Sequence, residues 1–253
     1  MRRPIIAGNW KMNGLARDAA DLAASLRRLL DGYEGAEVVV CPPFTALALV
    51  RSAIDGSAIR LGAQDLHWEA KGAFTGEISP TMLKEAGCTF VVIGHSERRH
   101  ILGETNDMVN RKLKAALAHA LTPIVCVGEL LEERTMKVTR EVVEKQMQKA
   151  FDGVSAQDAT QAVVAYEPVW AIGTGLTATP AQAQEIHHFI RNLLARQYGE
   201  ATANTVRVLY GGSVKPDNIK GLMAEKDVDG ALVGGASLQA GDFNKIVRYK
   251  ESA

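Results

Sequence analysis

The chain has 253 residues, of which 47% are hydrophobic and 23% charged, so it is long enough for one large domain with a substantial core. Basic and acidic residues both number 29, a balance that excludes the basic surface typical of nucleic-acid-binding proteins. The three cysteines, Cys41, Cys88 and Cys126, lie in or beside apolar runs without metal-ligand spacing, which argues against disulfides and structural zinc.

Apolar runs that suit buried strands alternate with helical patterns along the whole chain. The predicted strands are residues 5–10, 36–43, 58–66, 88–99, 121–129, 161–167, 204–213 and 228–237. A helical pattern follows each of them, first in residues 16–32, whose leucines fall on one face. The charged segment 132–151 is predicted to be one continuous helix on the solvated exterior.

The length of the strand-helix repeat indicates the fold. Eight strand-helix units in 253 residues give about 32 residues per unit, close to the roughly 30 residues of a βαβ repeat, and no linker interrupts the series. We therefore predict an α/β fold: a single (β/α)8 TIM barrel over residues 1–253, with eight parallel strands each followed by a helix. A doubly wound open sheet is the structural alternative.

In such a barrel the functional site lies at the C-terminal ends of the strands. The candidates at those positions are Asn9, Lys11, Gln64, His95, Glu97, Cys126, Glu129, Glu167, Ser213, Gly234 and Gly235. Glu167 ends the sixth apolar run, and Pro168 prevents the strand from continuing, so this carboxylate either caps the next helix or acts as a base. His95 directly follows VVIG at a strand end, whereas the other histidines fall in loops or helices.

The segment after Glu167 is predicted to be a lid. VWAIGTG, residues 169–175, is too apolar for a solvated surface loop, and Gly173 and Gly175 give its backbone conformational freedom. A helix then begins with Thr179 as N-cap and Pro180 at its first position. A base beside a closable lid favours chemistry that excludes water.

Two glycine motifs indicate a phosphate site. GGS at 211–213 and GG at 234–235 follow the seventh and eighth strands, where barrels commonly bind phosphate through backbone N–H groups. Glycine pairs alone usually mean tight turns, but their position favours phosphate binding, and Gly173 could add an N–H when the lid closes. Lys11 is either an ordinary solvated lysine or holds an anionic oxygen. Cys126 is predicted to be a small buried hydrophobe.

The motifs AGNWKMN, VVIGHSERR, PIVCVGE, AYEPVWAIGTG, LYGGSV and GALVGGASL stand in order along nearly the whole chain. Together they closely resemble the triosephosphate isomerase family. The resemblance implies an aldose-ketose isomerase of glycolysis and gluconeogenesis. Its members interconvert dihydroxyacetone phosphate and D-glyceraldehyde 3-phosphate through an enediolate. It also implies a small anionic phosphorylated triose as substrate, and no metal or cofactor.

The same resemblance implies four catalytic residues. Glu167 would move the proton between the two carbons, and His95 would donate a hydrogen bond from a neutral imidazole to the substrate carbonyl oxygen, the well-known arrangement of this family. Lys11 and Asn9 would stabilise the negative charge that develops on that oxygen.

Supporting roles are implied as well. Glu97 would hold Lys11, and Ser96 would pair with Glu167 before the lid closes. The implied phosphate-binding residues are Gly173, Ser213, Gly234 and Gly235. The lid and the apolar walls over the base would be formed by Pro168, Val169, Trp170, Ala171, Ile172, Thr174, Gly175 and Leu232. Closure of these walls would favour the protonated form of the base by desolvation.

A homodimer is expected from the loop GAFTGE, residues 72–77, which resembles the loop that inserts into the neighbouring subunit in this family. The implied interface residues are Phe74, Thr75, Gly76 and Glu77, with Thr75 reaching toward the neighbour's active site. The apolar Phe74 at the loop tip is easier to explain if a partner buries it. Leu176 in the lid and Gly14 on the interface side depart from the family pattern and leave lid kinetics and dimer strength open.

Two other functions compete with the isomerase. One is a catalytically silent phosphate-binding protein on the same scaffold, against which the joint presence of Lys11, His95 and Glu167 argues. The other is an aldolase-like barrel enzyme, which would need a Schiff-base lysine on a later strand, and VVAYE, VRVLYGG and GALVGG contain none.

A cytoplasmic location without membrane insertion is expected. The N-terminal MRRPIIAGNWKMNG has two arginines but only a short apolar segment without a signal-peptide core, and no long apolar span follows.

Overall fold

The computed structural model describes residues 2–173 and 176–251. Eight parallel strands follow one another around a closed barrel, in which β1 pairs with both β2 and β8. The strands are β1 (Ile5–Asn9), β2 (Glu37–Cys41), β3 (Arg60–Ala63), β4 (Phe90–Ile93), β5 (Thr122–Val127), β6 (Val163–Tyr166), β7 (Arg207–Tyr210) and β8 (Gly230–Val233). The closure of the sheet confirms the predicted (β/α)8 barrel and excludes the open doubly wound sheet.

The strands are apolar on both faces because each face packs against a different core. Along β1, Ile5 and Ala7 belong to a cluster of alternate strand residues in the barrel interior, whereas Ile6 belongs to the larger cluster between sheet and helices. The interior cluster also takes Val39, Phe90, Val92, Ile124, Val163, Ala165, Leu209 and Leu232 from the other strands. The two cores explain the near-continuous apolar runs in the sequence.

Twelve α-helices occur in the part of the chain that the structure describes. They are α1 (Ala16–Leu29), α2 (Leu47–Ala53), α3 (Pro80–Glu85), α4 (Ser96–His100), α5 (Asn106–Ala118), α6 (Leu131–Thr135), α7 (Thr139–Ala150), α8 (Ala156–Ala159), α9 (Pro180–Tyr198), α10 (Glu200–Ala203), α11 (Ile219–Met223) and α12 (Ala240–Val247). Short 3-10 segments cover Phe44–Ala46, Val169–Ala171 and Gly235–Leu238. Thr179 caps α9 by accepting a hydrogen bond from the Gln182 N–H, as predicted. None of the described helices could cross a membrane.

Three predicted elements were wrong in detail. The segment 132–151 is divided into α6 and α7, because Lys137 adopts a left-handed backbone conformation with φ of 60°. The predicted fourth strand ends at Ile93, and residues 96–100 turn into helix α4 instead. The predicted eighth strand ends at Val233, before the 3-10 segment Gly235–Leu238.

Candidate active site

A cavity of about 830 Å³ opens at the C-terminal ends of the barrel strands. Asn9 and Lys11 enter it from β1, His95 from the end of β4 and Glu167 from the end of β6. Its remaining walls include all four residues expected to bind phosphate and both expected apolar walls: Gly173, Ser213, Gly234, Gly235, Ile172 and Leu232. The structure thus brings these ten residues named from the sequence to one cavity.

Glu167 is held firmly and is only 2% exposed. Its backbone N–H donates to the Val127 carbonyl at 2.7 Å, which extends the β5–β6 pairing by one residue. One carboxylate oxygen lies 2.9 Å from His95 Nε2, and the other accepts a hydrogen bond from the Ser96 backbone N–H at 2.9 Å. Because Ser96 pairs through its backbone, the interaction with Glu167 does not depend on the serine hydroxyl.

The tautomer of His95 follows from its position at the start of α4. Its Nδ1 accepts a hydrogen bond from the Glu97 backbone N–H at 3.2 Å, so His95 is the N-cap of this helix. An accepting Nδ1 carries no proton, and the proton of the neutral ring therefore lies on Nε2, which faces Glu167. This tautomer directs its N–H at the Glu167 carboxylate.

Contact between the two side chains shifts both pKa values. Burial alone would raise the pKa of Glu167, but the adjacent His95 and the Ser96 N–H together lower it below its ordinary value. Burial alone would lower the pKa of His95, but the Glu167 carboxylate raises it. The Glu97 carboxylate, 3.5 Å from His95 Nδ1, raises the pKa of the ring as well, after the larger effect of Glu167.

Lys11 has a left-handed backbone, with φ of 52°, which is uncommon for a residue with a side chain. Two side chains hold this conformation: Asn9 Oδ1 accepts from the Lys11 N–H at 3.0 Å, and Gln64 Nε2 donates to the Lys11 carbonyl at 2.8 Å. The Lys11 ammonium lies 2.6 Å from a Glu97 carboxylate oxygen. Glu97 is not among the residues that line the cavity.

The lid begins as a short 3-10 turn after Pro168. Val169, Trp170 and Ala171 form this turn, and its first N–H, that of Val169, donates to the Glu129 carbonyl at 3.1 Å. Ile172 and Gly173 reach the cavity wall. The expected lid residues Thr174 and Gly175 lie outside the described residues.

Glu129 is a buried carboxylate next to the first turn of the predicted lid. It is one of the strand-end candidates from the sequence, which assigned it no role. Glu129 has no exposed surface and accepts hydrogen bonds from the Tyr166 hydroxyl at 3.0 Å and from Trp170 Nε1 at 2.9 Å. Arg134 on α6 adds an ion pair at 3.2 Å and stacks its guanidinium over the Trp170 ring at 4.7 Å. Glu129 therefore connects β6, the strand that leads to Glu167, with the first turn of the predicted lid.

Arg99 supports the histidine side of the cavity and was missed from the sequence. It is on α4, and its guanidinium donates to the carbonyls of Gly94 and Cys126 and to the Asn106 side chain, at 2.7 to 3.0 Å. The motif IGHSERR contains Arg99, but nothing in that motif shows that its partners come from two other elements. Cys126 is fully buried, and burial raises the pKa of its thiol well above the ordinary value, in keeping with a non-nucleophilic role.

The loop expected at a dimer interface lies apart from the cavity. Phe74, Thr75, Gly76 and Glu77 are all exposed, and the Phe74 ring packs on His67 with centroids 4.2 Å apart. Phe74 nevertheless keeps 42% of its surface exposed.

Comparison with known proteins agrees with this geometry. The family model described as triosephosphate isomerase matches residues 4–250. The triosephosphate isomerase of Caldanaerobacter subterraneus subsp. tengcongensis is 59% identical over 249 residues, which cover 98% of this chain and all of that protein. Those of Moorella thermoacetica and Endomicrobium trichonymphae are 58% and 54% identical, each over 99% of this chain and their own full length. The chain therefore belongs to the triosephosphate isomerase family.

Proposed function

We propose that Glu167 is the base of the reaction that this family membership assigns to the chain. That reaction is the interconversion of dihydroxyacetone phosphate and D-glyceraldehyde 3-phosphate in glycolysis. The observation that carries the proposal is the 2.9 Å contact between Glu167 and His95 Nε2 inside the cavity. It puts a carboxylate base and a hydrogen-bond donor side by side, as proton transfer next to a carbonyl group requires.

The chemical step divides between these two side chains. Glu167 takes a proton from the carbon next to the carbonyl of dihydroxyacetone phosphate, and the electron pair of that C–H bond moves to form the enediolate. His95 donates from Nε2 to the oxygen on which negative charge develops. The proton of the C1 hydroxyl passes to the C2 oxygen, with His95 as the donor and acceptor at these two oxygens. The protonated Glu167 then returns its proton to C2, and the carbonyl group forms at C1, which gives D-glyceraldehyde 3-phosphate.

Lys11 and Asn9 are proposed to stabilise the same negative charge. The Lys11 ammonium is a fixed cation at the cavity wall, because Glu97 holds its tip and Asn9 and Gln64 hold its backbone. A preorganised charge of this kind requires no reorganisation when the transition state forms.

The phosphate group is proposed to bind to Gly173, Ser213, Gly234 and Gly235. Three of them follow β7 and β8, and the fourth is in the lid, so their backbone N–H groups surround one end of the cavity. Backbone N–H groups at such turns bind anions without a cationic side chain.

Lid closure is proposed to place Ile172 and Leu232 over the base. The apolar cover would remove water and raise the pKa of Glu167 from its lowered resting value, because desolvation disfavours the carboxylate. A more basic Glu167 takes the proton more readily, and exclusion of water protects the enediolate from losing its phosphate.

We further propose a homodimer as the active form. Phe74, Thr75, Gly76 and Glu77 project from the barrel, and other large apolar side chains are similarly exposed, including Met12 at 95% and Ile101 at 76%. Exposed apolar side chains in such number favour burial in a second copy of the chain.

The proposed reaction uses only groups of the protein. Proton transfer within one substrate transfers no electrons to a second molecule, so no metal or cofactor is implied. A triose phosphate is small, so neither a nucleic acid nor a membrane is implied as a partner. A cytoplasmic location is proposed because the reaction belongs to glycolysis.

A coupled assay of triose phosphate interconversion tests the proposal. The parent protein should turn over rapidly, and Glu167→Ala should lose nearly all activity because the variant lacks the carboxylate proposed to remove the proton. Glu141→Ala, which removes an exposed carboxylate on α7, is the matched control and should retain the parent rate. If the folded parent protein shows no turnover, the phosphate-binding alternative is favoured instead. A fully active Glu167→Ala variant would show that Glu167 is not the base.

A further inference from the structure

A buried serine lies next to the Gly234–Gly235 corner of the cavity. Both glycines follow β8 and line the cavity, and Ser237 stands two residues after Gly235 in the 3-10 segment Gly235–Leu238.

Ser237 holds the Gly234 carbonyl with two hydrogen bonds. Its hydroxyl donates to that oxygen at 2.7 Å, and its backbone N–H donates to the same oxygen at 2.8 Å. The serine is fully buried within the 3-10 segment Gly235–Leu238, so neither bond competes with solvent at the serine.

The two bonds also fix the Gly235 N–H. The Gly234 carbonyl and the Gly235 N–H belong to one planar trans peptide unit and point in opposite directions. A carbonyl turned toward the buried serine therefore sets the direction of the N–H on the other side. Both glycines line the cavity, so the direction of this N–H matters for an anion bound there.

Close packing keeps Ser237 in place. A Cβ on Gly8 of β1 would lie only 2.9 Å from the Ser237 Cβ and 3.2 Å from the Phe243 ring, so only glycine lets the strand approach this closely. Gly8 directly precedes Asn9 on the strand that leads to Lys11. The serine is thus packed between the phosphate corner and the strand that carries the proposed oxyanion groups.

We propose that Ser237 is a positioning residue for the phosphate group of the substrate, through the Gly234–Gly235 peptide unit. The inference rests on the proposed phosphate-binding site at these glycines. It adds a residue that does not itself line the cavity. Both hydrogen bonds from the serine end on the Gly234 carbonyl at the phosphate corner, whereas Glu167 and His95 are held by β5 and α4. Its loss should therefore weaken recognition of phosphate and leave the chemistry of the triose end intact.

The test compares Ser237→Ala with Ser57→Ala. Ser57 has the same local pattern, since its hydroxyl and its N–H both donate to the Ile54 carbonyl, at 2.6 and 3.0 Å, but it precedes β3 at the opposite end of the barrel. Three quantities are measured: kcat/KM for glyceraldehyde 3-phosphate, kcat/KM for unphosphorylated glyceraldehyde, and the inhibition constant of inorganic phosphate.

Loss of one buried hydrogen bond predicts that Ser237→Ala loses about tenfold in kcat/KM for glyceraldehyde 3-phosphate, with inhibition by inorganic phosphate weakened by a similar factor. Its rate with glyceraldehyde should match the parent, and Ser57→Ala should match the parent in all three quantities. Ser237→Cys, with its weaker donor, should fall between the parent and Ser237→Ala.

Two results in folded protein would overturn the inference: equal losses with both substrates, or an unchanged inhibition constant for phosphate in Ser237→Ala. If Ser237→Ala does not fold, the same criteria apply to Ser237→Cys. A parent enzyme that is not inhibited by inorganic phosphate and shows no higher kcat/KM for the phosphorylated substrate would refute the proposed phosphate-binding site. This inference would then fail with it. Inhibition of the parent without any change in Ser237→Ala refutes the inference alone.

Discussion

At the scale of single residues, the site depends on positions where the backbone passes very close to the residue proposed as the base. Gly128 is the clearest case, because a Cβ there would overlap the carbonyl oxygen of Glu167. Gln146 holds this glycine from both sides, accepting from its N–H at 2.7 Å and donating to its carbonyl at 3.0 Å. The backbone of the base is thus fixed by the neighbouring strand end as well as by its own strand.

We therefore predict that Gly128→Ala is among the most damaging single-methyl changes in the chain. The added methyl group must displace the backbone that carries Glu167, which should cost about 4 kcal/mol or more and abolish activity in any protein that folds. Gly241→Ala on α12 is the control, because a Cβ there meets no atom within 4 Å and alanine favours a helix by about 1 kcal/mol. Urea unfolding measures both, and equal stability of the two variants would contradict the prediction.

At the scale of elements, the sequence predicted the eight strands and the residues at their C-terminal ends because both follow from local patterns. Apolar runs mark strands that are buried on both faces, and polar residues that directly follow them must come out at one rim of a parallel barrel. This reasoning was sufficient to bring Asn9, Lys11, His95 and Glu167 together in one cavity.

Other features of the structure leave no local signal in the sequence and could not be predicted in this way. The break between α6 and α7 occurs at Lys137, with neither glycine nor proline to mark it. The Glu129 contacts combine side chains from β6, α6 and the lid, and those of Arg99 combine three separate segments. Such partners become neighbours only when the barrel closes.

The packing of α9 on the sheet gives a prediction about pH. His187 on α9 is fully buried, with its ring near the rings of Tyr166 and Tyr210, and burial lowers its pKa to about 4. The unfolded chain, with a histidine pKa of about 6.5, binds this proton more readily than the folded chain. Stability should therefore rise with pH between about pH 4 and pH 6.5, with His187 contributing up to roughly 3 kcal/mol of the change.

Chemical denaturation of the parent and His187→Asn across this pH range measures the effect. The stability lost by the parent on acidification should be smaller in the variant, because asparagine does not titrate. Parallel pH profiles for the two proteins would contradict the assignment to His187. His188→Asn is the control, since it makes the same substitution at a neighbouring side chain that is 59% exposed.

At the scale of the whole molecule, the exposed apolar Phe74 in the projecting loop predicts that the barrel works as a dimer. Phe74→Lys places a charge at the loop tip, where a partner would have to bury it, so the variant should dissociate at concentrations where the parent is dimeric. If the active site is complete only in the dimer, the activity of this variant should fall as the dimer dissociates. Met136→Lys is the control at another exposed apolar position, directly after α6, and should change neither property.

Sedimentation equilibrium with parallel activity measurements distinguishes the outcomes. A parent protein that is monomeric and fully active would contradict the proposed dimer. A monomeric but fully active Phe74→Lys variant would show that each barrel holds a complete site.

The central claim is that Glu167 moves the proton, and the turnover of Glu167→Asp tests it most directly. Aspartate keeps the carboxylate but withdraws it by one methylene, and a displacement of about 1 Å costs roughly 100-fold in rate when a reacting group must be closely placed. We predict a loss in kcat of about that size, with folding and phosphate inhibition unchanged. A kcat equal to that of the parent would contradict the role of Glu167 as the base.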